Sequence, residues 1–313
     1  MIVALAGGVG GARLARGLAD LLPPEELVVA VNVGDDFTHL GLAICPDIDT
    51  VTYTLAGLND EHRGWGIRDE TWSFMAALRQ LGGPDWFALG DRDLAKHVLR
   101  TERLRRGDSL TAITHDLARA SGVMHRVIPV SDDPVRSIVM TDAGDLSFQD
   151  YFVRMACAPV FRGIRFEGAD VARVNPQLRA ALADPALAAI VICPSNPVLS
   201  VAPILAVPEV AEALRRARVP RIAVSPFIGG EAVKGPAAKI MRELGLEPGA
   251  AVVAERYAGL VDAVLCDHRD PAAGQTVAGI ALIARDTLMQ GAAGQQRLAG
   301  ECLALAAELR SAG

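Results

Sequence analysis

Ile2-Val3-Ala4-Leu5-Ala6-Gly7-Gly8-Val9-Gly10-Gly11-Ala12-Arg13-Leu14 decides how this chain is read. The apolar run 2–6 has the length of a buried strand. Leu14, Ala15, Leu18, Leu21 and Leu22 then recur at i, i+1, i+4, i+7 and i+8, one face of a helix. Pro23-Pro24 stops it. A second β-rich run, 27–33, ends in Asn32-Val33-Gly34-Asp35-Asp36. Strand, crossover helix and strand of this length make a βαβ unit, so the two strands are expected parallel with a right-handed crossover.

The glycine turn between strand and helix can present bare backbone N–H groups to an anion, where the helix dipole also favours negative charge. It half-matches a dinucleotide fingerprint. Gly8-Val9-Gly10 is in place, but Ala12-Arg13 stand where the third glycine belongs. Asp35 or Asp36 stands where such folds carry a ribose-binding acid. A tight turn that needs positive φ and holds no ligand fits the same glycines.

Downstream, helical spacing covers 69–81, 91–104 and 109–121, and 125–131 reads as a strand. Residues 136–141 and 146–153 flank Asp142-Ala143-Gly144-Asp145, a hairpin turn, and 161–166 adds a strand. Strands at 189–193, 221–224 and 263–266 alternate with helices at 208–217 and 237–244, and a final helix covers 295–309. The expected fold is α/β: a doubly wound, mostly parallel Rossmann-like sheet with a helical insertion and a small antiparallel β section. It is read as a single domain, 1–313, with a core at about 1–60 and 185–313 and an insertion at about 61–184.

The 313 residues are 51% hydrophobic and 22% charged, the balance of a well-packed globular chain rather than a disordered one. No apolar stretch reaches membrane-spanning length, and the N-terminal run is too short for a signal peptide. Cys45, Cys157, Cys193, Cys266 and Cys302 are scattered, which predicts reduced buried thiols in a cytoplasmic protein. A net charge of −6 argues against a general nucleic-acid binder. An acidic protein that holds a phosphorylated ligand needs local donors or a divalent cation.

Four carboxylates fall within 15 residues: Asp35, Asp36, and Asp47 and Asp49 of Pro46-Asp47-Ile48-Asp49-Thr50. Magnesium bridges such carboxylates to substrate phosphates. Capping of a helix at 50–58 accounts for one of them. In Leu89-Gly90-Asp91-Arg92-Asp93, capping covers the acids. Arg92 is suited to forked contacts with phosphate or a polar heterocycle, and the nearby His97 reads as structural. Cys193-Pro194-Ser195-Asn196-Pro197 and Ser225-Pro226-Phe227-Ile228-Gly229-Gly230, with Lys234 beyond, are two more strand-end loops. Each is also an ordinary turn by composition. Ligands of open α/β sheets bind beyond the carboxyl ends of strands, where four of these loops fall.

Taken in order, these motifs, with Gly64-Trp65-Gly66, Val130-Ser131-Asp132-Asp133-Pro134 and Phe148-Gln149, resemble the 2-phospho-L-lactate transferases (CofD/FbiA) of coenzyme F-420 biosynthesis. The resemblance spans residues 1 to about 270. It implies a magnesium-dependent homodimeric transferase. The donor would be a guanosine diphosphate carrying a small acid, the acceptor the ribityl hydroxyl of the deazaflavin Fo, and GMP a product. By matching motif, Asp49 and Arg92 would contact Fo, with Asp49 the candidate proton acceptor, and Asp35 and Asp47 would bind Mg2+. Ser195, Asn196, Gly229, Gly230 and Lys234 would hold the donor, and Gly8, Gly10 and Gly11 would line the reacting centre. A CofD-like regulatory protein that binds nucleotide-sugars shares the glycine loop and the Pro-Ser-Asn motif. An NAD-dependent oxidoreductase is suggested by the first βαβ unit alone.

Overall fold

The opening stretch folds as its pattern predicts. In the computed structural model, which describes residues 1–233 and 235–312, β1 (Ile2–Ala6) runs through a single residue into α1 (Gly8–Leu21). A short 3-10 turn, Pro24–Glu26, then leads into β2 (Leu27–Val31). β1 and β2 pair in parallel with Ile2 opposite Leu27. Every residue of both strands is buried, as in a sheet covered on both faces.

These two strands belong to an eight-stranded sheet. Its order is Thr276–Val277, Ile280–Arg285, Ala263–Asp267, Arg221–Val224, Ala189–Ile192, β1, β2, Arg126–Pro129. All neighbours are parallel except the first pair. The chain leaves β1 toward β2 on one side and returns on the other through Ala189–Ile192. The winding therefore reverses between β1 and Ala189–Ile192, and the crevice beyond their carboxyl ends is the place for a ligand. A three-stranded antiparallel sheet, Gly144–Ser147, Arg136–Thr141 and Phe161–Glu167, is the expected small β section.

Three expectations change, and two short helices are added. Residues 61–184 are not wholly an insertion, because Arg126–Pro129 is an edge strand of the main sheet, with Arg126 opposite Val28. The second hairpin strand stops at Ser147, and Asp150–Arg154 winds into a π-helical turn. The Ser147 hydroxyl and Asp150 bond each other there, a local side-chain link that competes with the sheet ladder. The helix expected from residue 69 begins at Ser73, after Asp69 takes a positive φ of 56°. Pro176–Leu182 and Ala250–Arg256 are helices of seven residues, too short to show a periodic stripe.

All five cysteines are free and buried. Among the described residues no single helix is long and apolar enough to cross a membrane.

Candidate active site

The glycine turn is built against the loop that follows Ala189–Ile192. Gly7 donates its N–H to the Ser195 hydroxyl at 3.1 Å. A β-carbon on Gly10 would lie 2.2 Å from the Pro194 carbonyl oxygen, and one on Gly11 2.5 Å from Ser195 Oγ. Gly8 takes φ +61°, which L side chains avoid. These glycines thus let two backbones meet across the switch point. Gly8 donates its N–H to Asp47 Oδ1 at 2.8 Å, so a carboxylate sits at the positive end of α1. A dinucleotide pyrophosphate would have to displace it. The N–H groups of Val9 and Gly10, in the same first turn, have no partner within the helix.

Asp47 belongs to α2 (Pro46–Ala56), which starts earlier than its sequence suggests. The N-cap is Cys45, and both Asp47 and Asp49 lie in the first turn. Asp47 Oδ2 accepts from Asn32 at 2.9 Å. Asp35 is buried, and among the described residues its Oδ1 has no hydrogen-bond partner. Burial pushes the Asp35 carboxyl well above the usual carboxylate range, and the Asp47 charge adds to this. Asp47 is raised by burial, partly offset by the Asn32 and Gly8 bonds. Asp36 is raised well above its ordinary value, again chiefly by burial. A divalent cation held by Asp35 and Asp47 would supply the positive charge these groups lack, so the donor set fits magnesium.

Asp49 has a different partner. Its two oxygens take the fork of Arg100, with Nη1 to Oδ2 at 3.0 Å and Nη2 to Oδ1. Arg100 is only 1% exposed. Burial alone would discourage its charge, but Asp49 outweighs this and raises the guanidinium further. Arg100 projects from α4 (Asp91–Arg106), as do His97 and Asp93. Asp93 accepts the Tyr53 hydroxyl. Its burial pushes its carboxyl up, but His97, Tyr53 and Arg100 pull it down, and the net shift is downward. Ligand atoms of Asp49, Asp93 and His97 lie within 4.8 Å of one another, a spacing suited to a metal. Arg100 already supplies a cation there.

Arg92 is elsewhere. It is exposed, and its Nη1 donates to the Arg68 carbonyl at 3.1 Å. The arginine on Asp49 is Arg100, which the sequence motifs did not single out. The signal was present: Asp93, His97 and Arg100 stand at i, i+4 and i+7, a polar stripe on one helix face. Asp91 is not the cap of its own helix, whose N-cap is Gly90. It accepts the N–H groups of Ser73 and Phe74 at the start of α3 (Ser73–Gln80). Glu70 returns the favour, accepting from the backbone of Arg92 and Asp93.

Asn196 caps the π-helical turn Pro197–Val201 by accepting from Val198 and Leu199. Gly229 and Gly230, at φ +56° and +81°, form the two-residue turn of a hairpin between Phe227–Ile228 and Glu231–Ala232. Lys234 lies outside the described residues. Val9, Arg13, Thr50, Tyr53 and Trp65 line a narrow recess between α1 and α2. A larger cavity of about 240 Å3 opens beside Asp36, Phe37, Cys45, Ser131 and Arg136.

A family model described as "2-phospho-L-lactate transferase CofD" matches residues 2–281. The chain is 43% identical over 318 residues to a phosphoenolpyruvate transferase of Kitasatospora aureofaciens, covering 99% of this chain and 98% of that protein. It is 35% identical over 291 residues to a 2-phospho-L-lactate transferase of Methanococcoides burtonii, covering 92% and 94%. The fold is similar, with a TM-score of 0.62 at 15% identity, to the crystal structure of a UPF0052-family protein from Bacillus halodurans. That match covers 96% of this chain and 98% of the other.

Proposed function

This chain belongs to the CofD family of 2-phospho-L-lactate transferases, and from that premise we propose that it transfers a phosphoenolpyruvyl group from a guanosine-diphosphate-linked donor to Fo. The general class is transferase, and the donor, acceptor and by-product are the proposal. The support for enolpyruvate over lactate is the relatives. Four proteins named phosphoenolpyruvate transferase are 40–43% identical across 99% of this chain. Three named 2-phospho-L-lactate transferase are 35–37% identical across 87–92% of it.

In this reading the ribityl hydroxyl oxygen attacks the phosphorus that bears the acid. The bond from that phosphorus to the bridging oxygen breaks, GMP departs with the bridging electrons, and the hydroxyl proton passes to solvent or to a nearby base. Such transfers depend on in-line positioning and on neutralised phosphate oxygens more than on covalent chemistry. Asp35 and Asp47 would hold Mg2+, which when bound neutralises diphosphate charge. The N–H groups of Val9 and Gly10, without partners inside the helix, would donate to phosphate. Ser195, Asn196 and the Gly229–Gly230 turn border the guanosine side, and Arg92 the outer, Fo-facing rim.

Asp49 takes a different part from that of proton acceptor. Both of its oxygens hold Arg100, and accepting a proton would break one contact of a buried ion pair. Its remaining lone pairs accept a hydrogen bond from the hydroxyl and aim it. The test is to incubate the protein with Fo, Mg2+ and guanylated enolpyruvate, lactate or glycerate in turn, with products identified by mass spectrometry. The enolpyruvyl product should form fastest. A faster lactyl product refutes the choice of acid, and no product with any donor refutes the reading. Light scattering tests the homodimer that belongs to it.

A further inference from the structure

α2 and α4 meet along a seam that is polar where a core is usually apolar. Asp49 and Tyr53 stand one turn apart on α2, and Asp93, His97 and Arg100 share one face of α4. All five side chains are buried. Removing a guanidinium and two carboxylates from water is costly, and well-packed apolar side chains would join two helices at least as firmly.

Arg100 is the donor at the centre of the seam. Arg100 Nη1 lies 3.2 Å from His97 Nδ1. A guanidinium only donates, so Nδ1 is the acceptor and the proton of a neutral ring sits on Nε2. Nε2 lies 3.3 Å from Asp93 Oδ1, the oxygen that takes the Tyr53 hydroxyl, without hydrogen-bond geometry, so the two are held by proximity of charge and dipole. Arg100 also donates to the Ala43 carbonyl at 3.3 Å, which ties it to the strand before α2. The rest of its fork goes to Asp49. The seam therefore ends on a carboxylate in the same helical turn as Asp47, whose own oxygens reach the glycine loop and Asn32.

We propose that Arg100, backed by His97, is a positioning residue that fixes the Asp49 carboxylate for the acceptor alcohol. The inference rests on the reading above, in which Asp49 meets that alcohol. A forked contact fixes the plane of a carboxylate as well as its position, so the free lone pairs keep one direction. A lysine keeps the charge but has no fork.

The experiment measures steady-state transfer to Fo at saturating donor, and the donor KM at saturating Fo, for the wild type, Arg100→Lys, His97→Asn and His97→Leu. Arg100→Lys should lower kcat/KM for Fo by at least tenfold and leave the donor KM within about twofold. His97→Asn keeps an acceptor near the Nδ1 position and should stay close to wild type, while His97→Leu should fall toward Arg100→Lys. Unchanged Fo kinetics in Arg100→Lys overturn the inference, as does a parallel loss on donor and acceptor sides, which marks a merely structural role. If Arg100→Lys does not fold, the His97 pair decides, and equal Fo kinetics in His97→Asn and His97→Leu overturn it. A wild type that transfers to Fo from no donor refutes the functional reading itself, and the inference falls with it.

Discussion

Replacing Gly10 with alanine asks whether the glycine turn exists for its neighbour or for a ligand. The added β-carbon would sit 2.2 Å from the Pro194 carbonyl oxygen and 3.3 Å from its carbonyl carbon. Backbone cannot swing aside as a side-chain tip does, so α1 and the 194–196 loop must separate. Overpacking of this kind costs about 1–3 kcal/mol. The same separation stretches the 3.1 Å bond from Gly7 to Ser195, and a buried N–H left without its acceptor costs about 1–3 kcal/mol more. Against this, alanine in a helix gains roughly 1 kcal/mol over glycine. The sum is a destabilisation of roughly 1–5 kcal/mol, with the steric and hydrogen-bond costs winning. Gly300→Ala is the control. It lies in the helix Gly291–Ala312, and its β-carbon would meet nothing nearer than Leu21 Cδ1 at 4.0 Å. That variant should gain about 0.5–1 kcal/mol. Urea unfolding followed by circular dichroism gives both values. A Gly10→Ala protein as stable as wild type, with only donor binding lost, would refute the packing argument and assign Gly10 to the ligand.

Three further outcomes follow from the same contacts. The Asp93 carboxyl is lowered in the folded state, so its contribution is present above the unfolded pKa and lost as pH falls through the folded one. Asp93→Asn should therefore be less stable than wild type at neutral pH, with the gap in Tm closing below about pH 4; a gap independent of pH sinks this. Saturating Mg2+ with GDP should stabilise the wild type by about 2–3 kcal/mol at a hundredfold excess over Kd, read by thermal shift. Asp35→Asn should lose most of that gain, and an equal shift in both proteins removes Asp35 from the metal site. Glu70→Ala strips the carboxylate from the start of α4 and should cost about 0.5–2 kcal/mol by urea unfolding. No loss would mean that water replaces it without penalty.

The first βαβ unit, the final helix and most sheet strands were legible because each rests on a local pattern of apolar residues. The fold failed to be legible where a polar side chain, distant or local, overrode the apolar pattern. Asp91, outside α3, sets where that helix starts, and the Ser147–Asp150 link ends a strand that apolar spacing would continue. Edge strand Arg126–Pro129 was visible as a strand but not as a member of the main sheet, because pairing with β2 joins residues about a hundred positions apart.

For the site, the sequence by itself determined the inventory: a glycine turn, an acidic cluster, and strand-end loops in the order that the CofD family shares. Those features are written in neighbouring residues, and neighbours suffice to read them. Only the tertiary structure decided how the inventory is wired. It gave the first two N–H groups of the glycine turn to Ser195 and Asp47, and the next two have no partner within α1. It also gave Asp49 to Arg100, 51 residues away, and left Arg92 exposed against the Arg68 carbonyl. The physical reason is that Arg92 stands in the first turn of α4, about 12 Å of helix rise before Arg100, and only tertiary packing decides which stretch of α4 is buried.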